Sequence, residues 1–176
     1  MLAELREGVN SAYRELRELL TTFRLGLGDE GFAGALRDTV AEFERRSGVH
    51  TTVTNELSRV ELSANEQVHV LQVVREALTN IEHHARARHA WVRLQHCDAS
   101  GIDVTIDDDG IGIRDMQCPQ GHFGLAIMRD RARSVGGTLA IGRRKPAGTR
   151  VKLQFAAQTA FGRSSIERAM PAGAAA

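Results

Sequence analysis

"VTIDDDGIGI", residues 104–113, is the stretch on which the reading of this chain turns. Its first half alternates apolar and polar side chains, the pattern of a half-buried strand. It then places three carboxylates at the strand end and follows them with Gly110 and Gly112. A solvated turn, a calcium loop, a catalytic carboxylate and a nucleotide pocket all fit that description.

An EF-hand loop needs oxygen ligands at fixed positions and a closing glutamate. With Gly110 as the turn glycine, Thr105 comes first and Met116 last; with Gly112, Cys118 comes last. Calcium is therefore disfavoured. Nor does "GIGIRD" complete a GxGxxG dinucleotide fingerprint, because the third glycine is missing. A carboxylate at a strand end can, however, accept a hydrogen bond from an exocyclic amine, and glycines beside it let a flat ring approach the backbone. Asp108, Gly110 and Gly112 meet that requirement, although an acidic turn containing glycine meets it too.

Downstream, "GHFGL" sets Gly121 and Gly124 immediately before a helical pattern. Unpaired amides and the positive dipole end of a helix N-terminus suit phosphate oxygens. A loop that merely needs positive φ is the plainer alternative. An RNA-clamping GxxG would lie between two helices, whereas here a strand and an acidic turn precede it.

Upstream, Ser63 and Glu66 have capping-box spacing and open a long helix expected to run through His84. Val68, Leu71, Val74, Leu78 and Ile81 form its core stripe. Glu76, Asn80 and His83 follow at i, i+4 and i+7 and project together from one face. A solvated helix face is the ordinary explanation of such a stripe. An asparagine inside a helix costs stability, however, and is better explained if its amide has a ligand. His83, His84 and His89 do not suggest zinc, because adjacent histidines on a helix point apart and no HExxH occurs.

The remaining elements extend outward from this centre. Residues 32–46 read as a helix with Phe32, Leu36, Val40 and Phe43 on one face and Gly48 as its stop. "VHTTVTNEL" reads as a strand, and "AWVRLQH" and "GIDVTIDDD" as neighbouring strands joined by a polar turn. "GLAIMRDRARSVGG" is a helix closed by Gly136 and Gly137, and "TLAIGRR" and "TRVKLQFA" form a hairpin around "KPAG". Helices alternating with strands, two of the connections being hairpin-like, predict a two-layer α/β sandwich with a mixed sheet over residues 31–157.

Before it, Leu2, Leu5, Val9, Ala12, Leu16, Leu19 and Phe23 alternate steps of three and four, a heptad seam. The glycines of "RLGLGDEGF" read as a hinge, so residues 1–25 are expected to pair outside the globular domain. Residues 158–176 read as a flexible tail.

With 176 residues the chain can bury a substantial core. Its formal charge of +1 argues against direct nucleic-acid binding, which usually requires a basic excess. Cys97 and Cys118 lack CxxC companions and read as reduced structural thiols. No apolar run approaches the ~20 residues that cross a bilayer, and no signal peptide is visible, so a cytoplasmic location is expected for this stretch.

Taken in order, "REALTNIEHHA", "DDDGIGI", "GHFGLAIMRDRA" and "GTRVKLQF" resemble the asparagine box, the two glycine boxes and the terminal strand of the ATP-binding domain of sensor histidine kinases. The wording is closest to the nitrate/nitrite sensor kinases of the NarX/NarQ type. "LREGVNSAYRELRELLTTFRL" is similar to the second helix of their dimerisation hairpin.

The resemblance implies a Bergerat (GHKL) ATPase fold that binds ATP and Mg²⁺ beneath a lid at Arg114 to His122. It implies that Asn80 holds Mg²⁺ against the phosphates, that Glu76 stands where related ATPases keep a catalytic carboxylate, and that Asp108 reads adenine. Gly110 and Gly112 would shape the pocket floor, Gly124 would meet the phosphates, and Thr149 would support Asp108. Ile113, Gly121 and Leu125 complete the implied nucleotide set. His83 stands where a lysine is frequent, and so replaces a fixed charge by one that titrates near neutrality.

No phosphoacceptor histidine motif precedes the asparagine box. The implied role is thus the catalytic part of an inner-membrane sensor, homodimeric when intact. Its cytoplasmic domain would phosphorylate a histidine outside this sequence and then serve a response regulator with a helix-turn-helix output domain. An anti-sigma-type serine kinase of the same superfamily and a non-catalytic, nucleotide-regulated interaction module are the alternative functions.

Overall fold

A computed structural model describes residues 31–57, 62–97, 101–113 and 123–157 of the chain. The expected heptad helix at 1–25, the lid from Arg114 to His122 with its Gly121 and Cys118, and the tail at 158–176 lie outside the described residues.

Helix α1 spans Gly31–Ser47 and buries Leu36, Val40 and Phe43, whose spacing of four and three places them on one face. It stops at Gly48, where φ is +72° and the amide donates to the Glu44 carbonyl at 2.8 Å. Strand β1, His50–Asn55, follows directly.

Helix α2, Ala64–Asn80, begins with the capping box legible in the sequence. The Glu66 amide donates to the Ser63 hydroxyl at 3.3 Å, and the Ser63 amide donates to the Glu66 carboxylate at 2.7 Å. Val70, Leu71, Val73 and Val74 have no measurable exposure. Each such side chain contributes roughly 1.5–3 kcal/mol through burial. The buried face is thus broader than the expected single stripe.

The α-helix does not run to His84. It ends at Asn80, and Ile81–Ala85 form a π-helical turn that Arg86 closes at φ +51°. The Ile81 amide is shared between the Ala77 and Leu78 carbonyls as the ladder changes register. A π-turn adds a residue to the turn, so helical spacing no longer predicts which way side chains beyond Asn80 face.

Strands β2 (His89–His96) and β3 (Gly101–Asp108), helix α3 (Phe123–Ser134) and strands β4 (Thr138–Arg143) and β5 (Thr149–Ala156) complete the described elements. The sheet order is β1-β2-β3-β5-β4. β1 and β2 are parallel, with α2 in the crossover between them, and every other pair is antiparallel.

Ala90, Val92 and Leu94 of β2, Ile102, Val104 and Ile106 of β3, and Val151, Leu153 and Phe155 of β5 share one core with the apolar faces of the three helices. The opposite sheet face carries ion pairs instead: Lys152 lies 2.8 Å from Asp103, and Arg150 lies 2.6 Å from Asp107. The architecture is the two-layer α/β sandwich with a mixed sheet that the sequence predicts.

Candidate functional site

Strand alternation separates the three carboxylates of the opening stretch. Asp107 points away from the helices and forms a two-pronged pair with Arg150, whose Nε lies 2.8 Å and whose terminal nitrogen lies 2.6 Å from its oxygens. Arg144 approaches the same carboxylate at 3.7 Å and stacks over the Trp91 ring at 4.3 Å. Asp109 accepts the Arg88 and His89 amides at 2.8 and 2.9 Å and lies 2.9 Å from the His89 ring nitrogen Nδ1. Burial pushes its carboxyl up, but the His89 amide and ring and the Arg88 amide outweigh that and hold it at about 2. Both of these side chains already have structural work.

Asp108 is different. It ends β3 on the helix side and is only 2 % exposed, with no cation among the described residues beside it. The Gly110 amide donates to Oδ1 at 2.7 Å, and the Thr149 amide to Oδ2 at 3.2 Å. The Thr149 hydroxyl adds a further bond. Burial raises the Asp108 carboxyl above the usual range, and these donors only partly offset it. A carboxylate has about four acceptor positions. Three are used here by donors among the described residues, leaving room for one more.

Glycines bring the backbone close around this carboxylate. A Cβ at Gly110 would collide with the Ala85 carbonyl, which also accepts the Ile111 amide at 2.9 Å. Gly112 has φ +71°, and its Cβ would lie 2.9 Å from the Gly148 carbonyl. Gly148 reads in the sequence as the end of a turn and the first residue of the terminal-strand motif, without a role in the site, yet at φ +102° a Cβ there would strike the Asp108 carbonyl. Its position directly before Thr149 was the available signal.

Asn80, half-buried, is the last residue of α2 and begins the π-turn whose end, Ala85, rests on Gly110 and Ile111. Asn80 and Asp108 therefore lie at the same end of the sandwich. Glu76, one turn earlier, faces the start of α3 so closely that a Cβ on Gly124 would collide with its Oε1. Leu125 packs against the core, and Ile113 is half-buried with its carbonyl 3.4 Å from Arg143 Nε. His83 is exposed, with its ring 6.1 Å from that of His84.

The structure thus brings together Asp108, Gly110, Gly112 and Thr149, and separately Glu76 and Gly124. The π-turn links the first group to Asn80. Cys97, expected to be a reduced structural thiol, is exposed just past the end of β2, where it hydrogen-bonds Asp103 and forms no disulfide among the described residues.

The donor set suits magnesium in one respect. Mg²⁺ keeps several waters and takes few protein oxygens, relying on phosphates for the rest. One amide oxygen at Asn80 is compatible with that habit. Among the described residues, no group of three or more His, Cys, Asp or Glu side chains could hold a metal by itself.

Residues 65–159 match the family model of the histidine kinase-, DNA gyrase B- and HSP90-like ATPases. The chain is 39% identical over 155 residues to the nitrate/nitrite sensor protein NarQ of Escherichia coli K12, an alignment covering 88% of this chain and 27% of that protein. It is 33% identical over 161 residues to NarX of the same organism, covering 92% of this chain and 27% of the relative. The chain therefore spans about a quarter of the relatives it matches. Among solved structures, the blue-light activated histidine kinase of Erythrobacter litoralis EL346 superposes with a TM-score of 0.67 at 20% identity, over 84% of this chain and 54% of that one. At that identity the likeness shows the fold.

Proposed function

The chain belongs to the histidine kinase-, DNA gyrase B- and HSP90-like ATPase family, and from that premise we propose that it is the Mg·ATP-binding catalytic part of a two-component sensor histidine kinase. The observation that carries the reading is Asp108, buried and, among the described residues, without a cation and with one acceptor position left, beside a glycine-lined approach. That environment suits the exocyclic amine of adenine better than a metal or a structural ion pair.

Asp108 accepts that amine, with Thr149 fixing the carboxylate and Gly110 and Gly112 forming the floor. Ile113 and Leu125 give the ring apolar contact. Asn80 offers its amide oxygen toward metal-bound phosphates, and Gly121 and Gly124 allow phosphate oxygens to approach the start of α3. Magnesium, when bound, neutralises phosphate charge as it develops during transfer. Glu76 lies where it can orient a proton-bearing nucleophile or the α3 terminus, and we assign His83 to the phosphate end of the site.

Catalysis of this kind is positioning and charge stabilisation, so the acceptor histidine must be presented by another segment. We place that histidine outside this sequence, in the homodimer of a membrane-anchored sensor whose kinase part faces the cytoplasm. The phosphoryl group passes on to a response regulator with a helix-turn-helix output domain. Similarity to NarQ and NarX supports nitrate or nitrite as the signal.

Calorimetric titration with ATP, with and without Mg²⁺, tests the proposal. Asp108→Asn should abolish adenine-selective binding, and Asn80→Asp should damage the metal-dependent part. Wild-type affinity in both variants would refute the assignment.

A further inference from the structure

Glu82 was not singled out in the sequence, yet it is gripped from a different element. Arg46, in the last turn of α1, places Nε 2.8 and 2.9 Å from the two Glu82 oxygens and a terminal nitrogen 2.6 Å from Oε2. This fork-on-fork match fixes direction as well as charge. The pairing holds the Arg46 guanidinium above its ordinary value and the Glu82 carboxyl below its own, in each case chiefly through their mutual hydrogen bonds. Arg46 is 51% exposed. Ion pairs that open to water usually contribute little to stability, so its effect on position is the more informative property.

Glu82 lies two residues past Asn80, inside the π-turn. Such turns are rare and concentrate at functional sites. The far end of this one is anchored independently: the Ala85 carbonyl accepts the Ile111 amide, and Asp109 holds the Arg88 and His89 amides just beyond. The near end, from Asn80 to His83, is where the grip from α1 applies.

We infer that the Arg46–Glu82 pair is a positioning device for Asn80. It fixes the near end of the π-turn so that the Asn80 amide faces metal-bound phosphates, while the adenine half of the site is held by other contacts. This inference rests on the Mg·ATP reading above. It adds α1, the first helix of the domain, to the parts on which phosphate binding depends.

The test uses the whole chain as wild type, Arg46→Ala, Arg46→Lys, Glu82→Gln and the charge swap Arg46→Glu with Glu82→Arg. Each is titrated with Mg·ATP and with ADP in excess chelator, after melting curves confirm folding. Arg46→Ala and Glu82→Gln should each weaken Mg·ATP binding by roughly 5–10-fold and Mg-free ADP by less than about 2-fold, with the swap recovering most of the loss. Arg46→Lys keeps the charge but not the fork and should recover only part.

Hydrogen exchange gives a readout without ligand: the amides of residues 81–83 should exchange faster in Arg46→Ala, and that of Ile111 should not change. Equal losses for both ligands, unchanged Mg·ATP affinity in the variants, or unchanged exchange at 81–83 would each overturn the positioning role. A wild-type chain that binds neither ligand would instead remove the nucleotide site itself, and the positioning role with it.

Discussion

At the scale of single residues, Asp107, Asp108 and Asp109 show how environment divides one chemistry into three. Asp107 is neutralised by Arg150 on the sheet face away from the helices, Asp109 ties the start of β2, and Asp108 is buried on the helix side with, among the described residues, an acceptor position to spare. The pH responses of Asp109 and Asp108 have opposite signs. Asp109 is held at about 2 against an ordinary 3.8, so its stabilisation is complete above 3.8 and is lost as the pH falls through about 2. The melting temperature of Asp109→Ala should therefore lie below wild type at neutral pH and converge with it on acidification. Asp108 is raised, so its ionisation costs stability, and that cost appears as the pH rises through its folded value. Nucleotide binding needs the ionised form to accept an amine. Adenine-nucleotide affinity should thus fall, as the pH is lowered, before ordinary carboxylates protonate, and Asp108→Asn should remove that dependence together with the binding.

At the scale of elements, the two ends of α2 differ in kind. Its start is a local device: the Ser63 hydroxyl and the Glu66 carboxylate each accept the other residue's amide. Ser63→Ala should cost about 1 kcal/mol in chemical denaturation and leave nucleotide affinity unchanged. Its end is tertiary, because the π-turn brings Ala85 against the loop that follows β3. Gly110→Ala would force a Cβ into the Ala85 carbonyl, which is backbone and has little freedom to retreat. We expect a loss of 1–3 kcal/mol, roughly the cost of overpacking a tight site, and a larger relative loss of adenine affinity because the pocket floor moves. Unaltered melting and binding in Gly110→Ala would show that the turn is looser than this geometry implies.

At the scale of the whole molecule, the sheet order brings to one end of the sandwich groups that are far apart in sequence. Thr149 reaches Asp108 only because β5 inserts between β3 and β4, and Asn80 reaches the same end because α2 crosses from β1 to β2. The amino-acid sequence by itself determined the elements, the capping box, the alternation that buries Asp108 and hides Asp107 from the helices, and the ordered motifs by which the family was recognised. These depend on local periodicity and on side-chain chemistry within a few residues. Only the tertiary structure decided that α2 breaks into a π-turn at Asn80, that Gly148 and Ala85 wall the Asp108 site, and that Arg46 grips Glu82. Each of those goes with contacts between segments distant along the chain, whose approach is set by packing of the whole core and leaves no period in the sequence to read.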